Sequence, residues 1–240
     1  MIFLFLTGSL VFSGCSAQVN GSLKEGGAAD LSIRASMEKR VSVFIRALSG
    51  FSGAQTEAPI PDAGLITLSL AEAPGIAGAF FRNTGPESFE GTIRVSRIDE
   101  FLAVSGGKSR NFITLEESKS GGRPSGRLAI NLDFESAVEI LPLFSEEIRD
   151  YLTTTLAPVA LGEKQSKADY LKDVAFFFGR ADGPVIAAEI AAAKIGISVE
   201  FPGPVTAAEG GTFSGRRAEF SVPLLDLLVL DTPLRYEVRW

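Results

Sequence analysis

Histidine is absent from the 240 residues, which removes the commonest zinc ligand and the usual general base near neutral pH. Cysteine occurs once, at Cys15, so neither a disulfide within one chain nor a thiolate metal cluster can form. No basic cluster is longer than Glu38-Lys39-Arg40 or Gly215-Arg216-Arg217, and 23 Lys+Arg stand against 29 Asp+Glu, for a formal charge of −6 and a pI near 4.9. A nucleic-acid partner would need a positive stripe to displace counterions from phosphates, and this chain has none. What is present is apolar material: 45% hydrophobic residues and a mean hydropathy of +0.21 suffice for a sizeable core and exclude disorder over most of the length.

The first apolar run, Ile2 to Phe12, is too short to span a bilayer, which takes roughly 20 residues. Small residues Ser13 and Gly14 follow it, and then Cys15. That is the layout of a signal h-region ending at a processing site. Phe12-Ser13-Gly14-Cys15 resembles the lipobox of bacterial lipoproteins, in its spirochaete-type form because Phe12 stands where leucine is usual. The resemblance implies that residues 1–14 are a signal peptide and that Cys15 becomes the acylated first residue of the mature protein. It implies a lipid anchor in the cell membrane or outer membrane, with the body facing the periplasm or the cell surface. No Lys or Arg precedes the run, so the start is expected to have been placed late or the chain to be a fragment.

Beyond Cys15 the hydrophobic pattern changes period twice. Ala29, Leu31, Ile33 and Ala35 alternate with polar residues after the Gly26-Gly27 turn, which predicts a hairpin. Met37, Val41, Phe44, Ile45 and Leu48 fall on one helical face. Residues 52–61 have linker composition, and Asp62 is placed to cap a short helix ending near Ala73, before Pro74-Gly75. Strands are expected near 78–82, 92–96, 112–116 and 127–133, the last two joined around Gly121-Gly122. From Phe134 to Phe178 the spacing is helical, divided by Pro142 and Pro158, with Ser145 and Ser166 as N-caps and Gly179 as a stop. Alternation returns at 195–201, 218–222 and 234–240. The expected fold is α+β: an antiparallel sheet with helices packed on one face, a single domain over 15–240, and a helical insertion over about 134–192. The N-terminal hairpin and the C-terminal strands would share the sheet. No repeat at a solenoid period is present.

Val19 to Ile33 and Val199 to Val222, through their turn glycines and alternation, resemble the LppM-type lipoprotein domain. That resemblance implies an envelope lipoprotein built as an α+β sheet with packed helices, and a lipid or glycolipid ligand.

Candidate chemistry is sparse. Gly106-Gly107-Lys108-Ser109 has the tail of a phosphate-binding loop, but Leu102 stands where that loop needs glycine, so a surface turn is the better reading. Without histidine no Ser-His-Asp triad exists. SxxK occurs at Ser36–Lys39 and Ser105–Lys108 without companion motifs, as chance would give. Glu116-Glu117 and Glu146-Glu147 read as ordinary surface carboxylates rather than a glycosidase pair. No calcium loop is present, and no metal or cofactor is expected.

Two apolar stretches remain. Phe176-Phe177-Phe178 point in three directions on a helix; the reading is core packing, with a cavity wall or a greasy outer face as alternatives. Pro223 to Pro233 carries six aliphatic residues and reads as core, with a pocket wall or membrane-touching loop as the alternative. The expected function is a non-catalytic envelope lipoprotein, joined to the membrane through Cys15 and binding a lipid, glycolipid or other apolar ligand between sheet and helices. Phe176, Phe177, Phe178, Leu224, Leu227 and Leu228 are its candidate contacts. The competing expectation is a structural or assembly lipoprotein acting through protein partners.

Overall fold

The computed structural model describes residues 16–40, 62–71, 73–98, 112–141 and 157–240, together with 42, 59, 149 and 153. Cys15, most of the 37–48 helix, nearly all of the 52–61 linker, Gly106–Ser109, Ser145 and Glu146-Glu147 lie outside them. The described strands are β1 (Ser16–Leu23), β2 (Ala29–Ser36), β3 (Ile76–Gly85), β4 (Ser88–Val95), β5 (Ile113–Ser120), β6 (Arg123–Leu132), β7 (Lys194–Glu200), β8 (Ala207–Glu209), β9 (Gly211–Ser214), β10 (Arg217–Pro223) and β11 (Leu234–Arg239). The helices are α1 (Ala63–Ala71), α2 (Phe134–Ile140), α3 (Pro158–Leu161), α4 (Lys167–Phe177), α5 (Gly179–Ala192) and α6 (Leu224–Val229).

The architecture is α+β, with two sheets where the sequence suggested one. The larger sheet has seven strands in the order β3-β4-β2-β1-β7-β10-β9, and the smaller has four, β5-β6-β11-β8. The N-terminal hairpin and two C-terminal strands do share a sheet. Their junction, however, is the parallel pair β1/β7, with Val19 opposite Ile197; the other ladders are antiparallel. The final strand joins the smaller sheet, beside β6.

Alternation fixes the faces. In the large sheet Val19, Ile33, Gly91 and Phe81 line one side in register, and their neighbours in sequence, all polar except Phe80, line the other. One end of the apolar side meets the small sheet. There Leu23, Ala29, Val95 and Ala218 pack with Phe201, Val238 and Trp240. Trp240 is only 6% exposed, stacks on Phe201 at 4.9 Å between ring centroids, and lies so close over Gly126 that a Cβ there would sit 2.5 Å from its ring. At the opposite end, where β2 and β10 finish and β1 and β7 begin, sits a helical core of Tyr170, Val174, Ile186, Ile190, Leu225, Leu228 and Val229, with Met37 against it.

Local signals explain the helix ends. The Asp62 carboxylate accepts from the N–H groups of Gly64 (2.8 Å) and Leu65 (3.3 Å) at the start of α1, and the Ser166 hydroxyl accepts from Asp169 N–H (3.1 Å) at the start of α4, both as N-caps do. Gly179, at φ +78°, turns the chain from α4 directly into α5, and Gly183 lets the two helices touch: a Cβ there would lie 1.9 Å from the Ala175 carbonyl. Gly121 and Gly122, both at positive φ, make the two-residue β5–β6 turn. On β3 the Phe81 N–H donates to the hydroxyl of Thr67 in α1 (2.8 Å), and Ile66 and Ala63 cover the Phe81 ring.

Candidate functional site

The polar side of the large sheet is not flat. Between Ile76 and Gly78 the β3/β4 register shifts, and the resulting bulge sharpens the local twist. An open trough of ≈ 610 Å³ runs across β1, β2, β4 and β3, lined on its polar side by Asn20, Ser22, Asp30, Ser32, Gly78, Phe80, Thr92 and Arg94.

Two rows of directly opposed residues make up the lining. Asn20, Ser32, Thr92 and Phe80 form one, and Ser22, Asp30, Arg94 and Gly78 the other. At a strand spacing of about 4.8 Å each row is about 14 Å long. The side chains of Asn20, Ser22, Ser32 and Thr92 are free of hydrogen bonds to other described residues, so their donors and acceptors face solvent. Phe80 closes one side and is 61% exposed. At Gly78 a side chain would meet nothing within 4 Å, which leaves the floor beside the ring open.

Charge is ordered around this trough. Asp30 accepts from the Lys24 ammonium and faces Arg94 Nε at 3.5 Å; the Lys24 hydrogen bond, with both positive charges, holds its carboxyl below the usual range. Two rows from Asp30, across the Asn20 row, Glu90 accepts from Arg82 Nε at 3.0 Å and pairs with Arg34 at 3.4 Å. The Arg82 hydrogen bond, helped by both guanidinium charges, likewise lowers its pKa. All four cations are well exposed. Four positive groups against two carboxylates give this corner a local excess of positive charge in a chain of formal charge −6.

The apolar residues singled out from sequence fall in different surroundings. Leu228 belongs to the helical core, and Phe178 and Leu224 pack against it; Leu227 is half-buried. The reading of the phenylalanine triplet as core holds only for Phe178, because Phe176 is 88% and Phe177 44% exposed. The cause is helical geometry. α4 buries the stripe through Tyr170 and Val174, and residue 176 lies about 200° around the axis from 174.

The carboxylate pair at 116–117 has structural partners: Glu117 accepts from Gly26 N–H (3.1 Å), docking the β1–β2 turn on β5, and Glu116 faces Arg127 at 3.5 Å. Among the described residues no group of three His, Cys, Asp or Glu could hold a metal ion, and no helix is long and apolar enough to cross a membrane.

No protein-family model and no curated protein matches the sequence. Among solved structures the chain is similar to the folded domain of LppM from Mycobacterium tuberculosis, determined by NMR, with 11% identity over 96% of this chain and 92% of that one and a TM-score of 0.40. The likeness is one of coarse layout alone.

Proposed function

We propose that this chain is a non-catalytic, lipid-anchored envelope protein whose large sheet holds a hydroxyl-rich ligand, the saccharide part of a glycolipid or glycan, in the trough on its polar face. Acylation at Cys15 supplies the anchor: each buried methylene contributes about 0.8 kcal/mol, so two or three chains hold where one is marginal. The body then faces the periplasm or the cell surface.

The row Asn20–Ser32–Thr92 ending at Phe80 carries the reading. A sugar ring has hydroxyls on its edge and a C–H face above and below. The row offers an amide and two hydroxyls to the edge and an exposed aromatic ring to the face. Such a division of labour, a few convergent polar groups with an aromatic contact, is how binding sites fix orientation. The ligand site therefore moves from the interior between sheet and helices to the outside of the sheet.

Mass spectrometry of the protein gently extracted from its own membranes tests this. Retained saccharide-bearing molecules are expected, and both Gly78→Leu, which fills the floor, and Phe80→Ala should lose them while melting within about 0.5 kcal/mol of wild type, as surface changes do. Retention undiminished in both variants would refute the trough as the site. A second reading, a protein-assembly lipoprotein, draws on the same exposed ring and cationic rim. It would show itself as cross-links from Phe80 to one fixed protein and no bound saccharide.

A further inference from the structure

The row that opens at Phe80 does not stop at the trough. Register carries it past Asn20 to Ser198 in β7, Glu219 in β10 and Thr212 in β9, so it crosses all seven strands of the large sheet. Six strand spacings make it about 29 Å long. Thr212 and Glu219 are exposed and Ser198 is half-buried. Among the described residues the side chains of these three, like those of Thr92, Ser32 and Asn20, have no hydrogen-bond or ion-pair partner.

The rows on either side behave differently, and the contrast gives the lane its shape. Charged residues on a wet sheet face gain by pairing across strands, and both flanking rows do so: Asp30 with Arg94 at 3.5 Å on one side, Glu90 with Arg34 at 3.4 Å on the other. The first flank continues beyond β1 as Glu200 and Arg217, directly opposite each other. On the second flank Gln18 leans over β7, where a Cβ on Gly196 would fall 2.4 Å from its Oε1. Short side chains thus run between longer ones, with each flank two residues away along the strands, about 6.8 Å. The gap in pairing is not a shortage of charge. Glu219 is acidic and lies two residues from Arg217 on the same face, yet its two acceptor oxygens have no partner among the described residues.

An extended pyranose chain repeats at close to the spacing of the strands, about 4.8 Å, so each unit can meet one residue of the row. We propose that the lane takes such a chain, one sugar to a strand, with one end on the Phe80 ring and the units beyond β1 held through their hydroxyls by Ser198, Glu219 and Thr212. The ligand is then a linear oligosaccharide of more than about four units, because Phe80, Thr92, Ser32 and Asn20 already lie in the trough. This rests on the saccharide reading and adds to it three binding residues and a length.

Mass spectrometry of the full, processed protein extracted from its own membranes reads the number of sugar units retained. Wild type is expected to hold chains longer than about four units. Ser198→Leu, which blocks the lane at β7, and Glu219→Ala, which removes the free carboxylate, should each shift the retained set to shorter chains or to none, with melting unchanged. Either variant suffices should the other fail to fold. Retention of shorter saccharides alone by wild type, or of long ones undiminished in a folded variant, would overturn the lane and leave the trough standing. No saccharide on wild type would remove the saccharide reading and the lane together.

Discussion

Gly91 and Gly78 lie on neighbouring strands of one sheet and face opposite ways. A Cβ on Gly91 would land 2.2 Å from the Phe81 ring and 2.5 Å from the Phe80 carbonyl, whereas a Cβ on Gly78 would meet nothing within 4 Å. The same residue is required on one side by a ring that covers it and leaves a hollow on the other. The two faces of the sheet have separate tasks: the apolar side specifies the fold, and the polar side is free to be shaped for a ligand.

The heaviest blow to the apolar side is expected from Trp240→Ala. The ring is buried against Phe201 and over Gly126, and its removal should cost about 3–5 kcal/mol, read as a fall in the urea midpoint at constant slope. Gly91→Ala comes next, at about 1–3 kcal/mol for forcing Phe81 from its place. Against it, Gly78→Ala should melt with the wild type; equal losses at both positions would break the contrast between faces.

The smallest effect belongs to the ion pairs on the polar side. Asp30 and Glu90 are held below their ordinary pKa values by Lys24, Arg94, Arg82 and Arg34. Their contribution is therefore present above the usual carboxylate range and is lost as pH falls through the lowered folded values. Both sites are open to water, so the effect is slight. It should appear as a stability difference between wild type and the Asp30→Asn, Glu90→Gln double variant that fades below about pH 4, and a difference that grew with acid would reverse the assignment.

Much of the fold was legible because local rules sufficed. Alternation located the strands other than the short β8 and β9, Asp62 and Ser166 announced α1 and α4, and Gly179 ended α4 where a left-handed residue was needed. The division into two sheets and the parallel β1/β7 pair were not, since nothing in Val19 or Ile197 records a partner so distant in sequence. The trough escaped for a related reason. Asn20, Ser32 and Thr92 look like any wet face until register places them in line with Phe80. Phe176 could have been anticipated, because counting around the helix from Val174 sends it to the far side.

The hydroxyl of Thr67 already answers the Phe81 N–H along the outermost strand of the large sheet. A strand whose open margin has a stand-in neighbour cannot serve as a seed for stacking copies of itself into fibrils. Crowded on a membrane at high density, these molecules would polymerise, if at all, from β9 or from the smaller sheet rather than from beside the trough.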